Sequence, residues 1–242
     1  MLVLALVLGC EHAPQAPAVT RTATPLDPAT TGVIEGRVLF DGAPPPPRTI
    51  TVTSDPTCAA AHPGGLSVED VRAVDGKLAD VFVYVARGLE GRVFAVPERP
   101  VVIDQRGCWY APRIAGARAG QPIVFRSSDD TLHNVHGEPR ASPRWNFGLP
   151  RRDAERTLIL AEPEVMVPVR CDVHPWMHLD LGVVDHPFFA VTGADGAFRF
   201  EGVPGGTYTL AAWHPTLPRQ ETTVTVVPHE TTSATFRFRP SP

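Results

Sequence analysis

The sequence predicts an all-β protein built from two β-sandwiches, and three observations lead there. Apolar residues come in short runs rich in Val, Thr, Phe and Tyr, and spacing of the helical kind is scarce. Turn residues punctuate those runs, with 27 prolines and 20 glycines among 242 residues. The chain is 43% hydrophobic and 20% charged, which is ordinary for a folded soluble protein. A net charge of −4 removes the basic footprint that nucleic-acid binding needs.

The first nine residues, Met1 to Gly9, are apolar and precede Cys10. They are too short to span a bilayer as a helix and suit the hydrophobic region of an export signal. Val7-Leu8-Gly9-Cys10 resembles a bacterial lipobox, which implies a lipidated Cys10 and a protein anchored in the cell envelope, facing the periplasm. No Lys or Arg precedes the apolar run, so a start upstream of Met1 and a frayed apolar terminus are the competing readings. Residues 11–31 are rich in Pro, Ala and Thr and read as a tether.

Beyond the tether, the elements follow in order. Val33–Leu39 is a strand stopped by Asp41-Gly42 and the prolines at 44–47. Thr49–Thr53 is a second, and Ser67–Arg72 carries a helix-capping signal for one or two turns. Val81–Val85 is a strand apolar on both faces, as expected for one buried on both sides. Val101–Asp104, Ile123–Arg126, Thr157–Leu160, Val165–Arg170 and Leu181–Val184 follow. After His186-Pro187 the composition changes, and five strands follow over Phe188–Thr192, Ala197–Phe200, Tyr208–Trp213, Thr222–Val227 and Ser233–Arg239. The expected division is 32–186 for the larger domain, with an N-terminal extension, and 187–242 for the smaller sandwich.

The chemistry concentrates in Cys171-Asp172-Val173-His174-Pro175-Trp176-Met177. Upstream lies His133, in Leu132-His133-Asn134-Val135-His136. Two imidazoles and a thiolate with a weak thioether form the ligand set of a blue-copper site, so His133, Cys171, His174 and Met177 are the candidate ligands of one copper ion. Zinc ordinarily takes four stronger donors. Cys10 belongs to the anchor and Cys171 to the motif, which leaves Cys58 and Cys108, in no zinc spacing. A Cys58–Cys108 disulfide is the preferred reading for an exported chain, and two buried thiols the alternative.

These motifs resemble the cupredoxin family, amicyanin-like members most. Ile103-Asp104-Gln105-Arg106-Gly107-Cys108-Trp109-Tyr110 together with His174-Pro175-Trp176-Met177 also resembles bacterial plastocyanin-like or methylamine-utilisation-like proteins. The resemblance implies a Greek-key β-sandwich and electron transport. It also shows two departures. Ser127-Ser128 stand where cupredoxins often carry a loop-supporting Asn, and about 80 residues precede Val101 that a minimal cupredoxin lacks. The tail, through Thr192–Phe200 and Val203–Leu210, resembles carboxypeptidase-regulatory-like domains. Those domains usually open with a strand like Gly32–Gly42, so the larger module is either inserted into the smaller sandwich or shares a sheet with it.

Trp176 reads either as core packing or as a partner-docking residue around an exposed edge of His174. His136 is three residues from His133 and is expected on the opposite strand face. His178 is a rim candidate. His186 and His214 each precede a proline and are either buried imidazoles or a second metal site. The leading function is a type 1 copper protein exchanging electrons with redox proteins, with His174 as the exit path. The rival is copper storage or delivery, or a non-redox binding module. No Gly-x-Ser-x-Gly, His-Glu-x-x-His or nucleotide loop argues for an enzyme.

Overall fold

The computed structural model describes residues 23–240. Cys10 and most of the expected tether lie outside them. The tether's last residues are not free: Thr24 donates its N–H to the Val93 carbonyl, and Pro28–Thr30 forms one 3-10 turn capped by Asp27.

The structure is all-β, with four principal sheets. Two of them enclose the candidate ligands. One contains Glu155–Ile159, Pro122–Ser127, Val101–Gln105 and Tyr110–Ala111. The other contains Trp145–Leu149, His133–Gly137, Glu164–Arg170, His178–Val184 and Ile114–Arg118. Alternate residues of both point inward (Ile123 and Phe125, Val167 and Val169, Leu179 and Leu181), following the two-residue period of a strand.

The remaining two sheets form a second sandwich. Thr31–Phe40 pairs antiparallel with Ala197–Pro204 and parallel with Thr231–Phe238. Facing it, Phe82–Arg87 lies between Phe189–Val191 and Gly206–Trp213, which in turn pairs with Gln220–Val226. The sheets therefore do not divide at 186/187. Strands at 31–40, 73–78 and 82–87 all belong with the tail, so the first sandwich sits between the chain segments that make the second.

This arrangement explains the doubly apolar strand. Val83 and Val85 enter the core of the second sandwich, whereas Phe82 and Tyr84 point the other way and pack with Ile114 and Val184 of the first. The middle sheet is thus covered on both faces. Glycine permits the close approach: a Cβ on Gly182 would lie 2.6 Å from the Phe82 ring, and one on Gly116 2.4 Å from the Phe189 ring.

One local expectation is overturned. Ser67–Arg72 is not helical. Leu66–Val68 is a strand paired with Arg48–Ile50, because Leu66 and Val68 both face the core while Ser67 points out. The helix lies earlier, at Pro56–Ala61 (α1), started by Asp55, whose Oδ1 accepts the N–H groups of Thr57 and Cys58, with Pro56 in the first turn. The Cys58–Cys108 disulfide ties α1 to the first sandwich across 50 positions. In the chain-entropy model such a closure contributes about 4 kcal/mol.

His186 and His214 are buried separately and belong to no group of metal-ligating side chains among the described residues. Each uses Nδ1 to accept a backbone N–H two residues on, from Phe188 and Thr216. Burial holds both imidazoles down to about 4. An unfolded chain takes up these protons as pH falls through about 6.5, while the folded protein resists until about 4. Each buried neutral imidazole therefore contributes stability on the order of 3 kcal/mol above pH 6.5, lost as pH falls towards 4. Burial pushes the Asp180 carboxyl up to about 6, with the opposite sign. Comparing the wild type with the variant His186→Gln/His214→Gln isolates the imidazoles. Urea midpoints between pH 7 and pH 4 should fall less steeply in the variant, and parallel pH profiles would contradict this assignment.

Candidate metal centre

The site forms at one end of the first sandwich. His133 opens its strand, and Cys171 follows the strand Glu164–Arg170, with which the His133 strand pairs at His136 and Gly137. That register brings the two side chains to the same end of the sheet. Residues 171–177 then form a tight connection to His178–Val184. It is closed by the Cys171 N–H donating to the Met177 carbonyl at 3.2 Å and the Met177 N–H to the His174 carbonyl at 2.9 Å.

His133, Cys171 and His174 converge with one ligand atom each inside a 4.8 Å span. The two Nδ1 atoms are 3.0 Å apart, and the Cys171 sulfur is 3.8 Å from Nδ1 of His174. Metal–nitrogen bonds of about 2.0 Å and metal–sulfur bonds of about 2.3 Å can bridge these two separations, so the donor set suits one ion. Met177 is fully buried in the same core, so its thioether is shielded from water.

Asp129, which sequence reasoning missed, fixes the first imidazole. Its Oδ2 accepts Nε2–H of His133 at 3.0 Å, which turns Nδ1 towards His174 and Cys171. The same carboxylate accepts the N–H groups of Gly107 at 2.7 Å and Cys108 at 2.8 Å. Those two residues have φ of 62° and 54°, so consecutive N–H groups form a small anion cradle. Asn134, also missed, holds the loop in the role looked for at Ser127-Ser128: its Oδ1 accepts the Asp172 N–H at 2.6 Å, and its amide donates to the Asp172 carboxylate. The Ser127 and Ser128 hydroxyls instead donate to the Asp129 carbonyl and the Asp104 carboxylate. A side chain adjacent to a candidate ligand was the available signal for Asn134. Asp129 sits in a loop with no period to mark it.

These contacts set the protonation of the donors. Burial pushes the Cys171 thiol up, but hydrogen bonds from His133, His174 and the Asn134 backbone outweigh it and hold it at about 6. Burial lowers His133, but Asp129 and Cys171 raise it further, to about 9. The thiolate form, which is the ligating form, is thus favoured near neutral pH.

The other candidates separate. His136 points outward and meets the Asp172 carboxylate at 2.9 Å. His178 is exposed on the rim of a cavity of about 740 Å³ lined also by Trp109, Trp176, Arg48 and Arg113. Trp176 is half-buried, lies 5.2 Å from the His174 ring at a tilt of 46° and donates Nε1–H to the Cys108 carbonyl at 3.1 Å. The edge of His174 is not exposed: the residue is 1% accessible, because α1 and the disulfide lie over it. An exit through an open His174 edge is therefore corrected.

Comparison with known proteins gives the following. A family model described as polysaccharide lyase family 4, domain II, matches residues 184–234, where the sequence alone suggested a carboxypeptidase-regulatory-like domain. A search of curated proteins finds no match. Similar solved structures include a Cu-containing nitrite reductase from Thermus scotoductus SA-01, at 18% identity and TM-score 0.32, covering 43% of this chain and 25% of that one. A purple cupredoxin from Nitrosopumilus maritimus aligns at 16% identity and TM-score 0.30, covering 34% and 98%. An oxidised proline-to-glycine mutant of amicyanin aligns at 16% identity and TM-score 0.32, covering 42% and 97%. These similarities are partial, and the chemistry of the site stands on its own residues.

Removing the carboxylate behind an imidazole ligand commonly costs 10–100-fold in metal affinity. Asp129→Asn should weaken Zn²⁺ binding by roughly tenfold or more in a chelator competition, with the fold kept. An unchanged affinity would show that Asp129 does not orient His133.

Proposed function

We propose that this chain is a cupredoxin-type protein that holds one copper ion through His133, Cys171, His174 and Met177 and carries electrons on the outer side of the cytoplasmic membrane. The observation that carries this reading is the convergence of a thiol of lowered pKa and two imidazoles at one end of a β-sandwich, with the buried Met177 ending the same loop. Copper bound there supplies a one-electron couple. The protein's residues keep the ligand positions fixed. Asp129 fixes the His133 ring, Asn134 ties Asp172 to the His133 strand, and the hydrogen bond from the Cys171 N–H to the Met177 carbonyl closes the loop. Fixed positions keep the rearrangement between oxidation states small, which suits a carrier and leaves no open position for substrate.

Electrons then pass to redox proteins by way of Trp176. Its ring lies beside that of His174, and it lines the rim cavity with Trp109, Arg48 and Arg113. Arg48 is paired with Asp70 on the same rim, so the exposed aromatic surface suits an apolar patch on the partner. The Cys58–Cys108 disulfide supports an oxidising compartment, in keeping with an exported chain anchored through Cys10.

Cu(II) titration followed by visible absorption and electron spin resonance tests the proposal. The wild type should develop an intense thiolate-to-copper band. Cys171→Ser should abolish it with the β fold retained. Met177→Leu should keep the colour and raise the reduction potential, because losing a weak donor disfavours Cu(II) more than Cu(I). His136→Ala should change little. A colourless wild-type complex with a tetragonal nitrogen/oxygen signal would contradict the type 1 assignment and favour storage.

A further inference from the structure

The His174 imidazole lies between two sets of donors. Nδ1 faces Cys171 and His133. Nε2 faces the other way, 3.6 Å from the Cys58 sulfur and 3.5 Å from Oδ2 of Asp55. Asp55, Cys58 and His174 place one ligand atom each within 4.8 Å of one another, with Cys58 and His174 fully buried. Asp55 is held for this: its Oδ1 caps α1, and its Oδ2 accepts the Thr131 hydroxyl at 2.6 Å and keeps a lone pair towards the imidazole. Cys108 adds a second sulfur beside Cys58. What removes both sulfurs from the donor pool is the bond between them.

We propose that the thiol form of this chain holds a second metal ion, bound by Asp55, Cys58, Cys108 and Nε2 of His174, and that forming the disulfide abolishes the site. Two sulfurs, one imidazole and one carboxylate make a four-donor set for a borderline-soft divalent cation of the Zn²⁺ type. In the reduced chain the ion displaces the two thiol protons. Closing the S–S bond takes two electrons from the sulfurs to a disulfide oxidant, which takes up two protons from water to become a dithiol; the ion is released. The reverse step needs a dithiol reductant and returns two protons to the sulfurs. The cap over His174 is therefore metal-held in a chain still carrying thiols and covalently held once oxidised. The proposal uses the nitrogen of His174 that points away from the first site and does not require copper there.

The full chain carrying Cys10→Ser and Cys171→Ser retains Cys58 and Cys108 as its thiols. Co²⁺ titration of this chain, refolded anaerobically with and without reductant, reads the site directly. The reduced chain should bind one Co²⁺ with thiolate-to-cobalt absorption, the disulfide form should show none, and Asp55→Asn should weaken binding by at least about tenfold. Absence of the band from the reduced chain, or a band indifferent to both Asp55→Asn and His174→Gln, would overturn the proposal. A second readout uses the reduced wild type. Zn²⁺ should slow alkylation of Cys58, mapped by mass spectrometry, and should do so less in Asp55→Asn. Equal alkylation with and without Zn²⁺ would also overturn it. Failure of the copper reading would alter neither result.

Discussion

The structure depends on one costly act, the burial of a thiol and two imidazoles against one another at the end of a β-sandwich. Unpaired polar groups there would each cost about 1–3 kcal/mol. The site is stable because each donor also answers a second group. His133 answers Asp129, the Cys171 sulfur receives hydrogen bonds from the imidazoles and the Asn134 backbone, and His174 lies under the disulfide. Asp129 is the hub, since its carboxylate joins the His133 ring to the Gly107-Cys108 turn and so to α1. The ligand face and the cap are consequently one connected unit.

The scaffold places that unit by strand register. His136 pairs with Arg170, so His133 and Cys171 emerge at the same sheet end. The second sandwich braces the first from the side, through Phe82 and Phe189 seated over Gly182 and Gly116. Its residues Pro215 and Thr216 reach the rim cavity that Trp109, Pro175 and Trp176 also line.

Much of this was legible in the residues. Cys171, His174 and Met177 are close in sequence, and their types announce their chemistry. Cys58 and Cys108 followed from sorting four cysteines. The offset of His136 from His133 put it on the outer face. Other features were hidden for physical reasons. Asp129 and Asn134 act through single hydrogen bonds, and a polar residue in a loop carries no period. The unbroken apolar run Val81–Val85 shows that the strand is covered on both sides but not which sheets cover it. At Ser67–Arg72 the capping pattern lost to tertiary burial of Leu66 and Val68. The covering of His174 was out of reach because α1 reaches it from a segment 116 positions away.

The central claim is that these four side chains form one sulfur- and nitrogen-bound copper site beneath a closed cap. X-ray absorption of the copper-loaded wild type tests it most directly. The account predicts one short copper–thiolate contact and two imidazole nitrogens in both oxidation states, with little change in distances between them. A first shell of nitrogen and oxygen alone, or a shell that changes donor number on reduction, would contradict it.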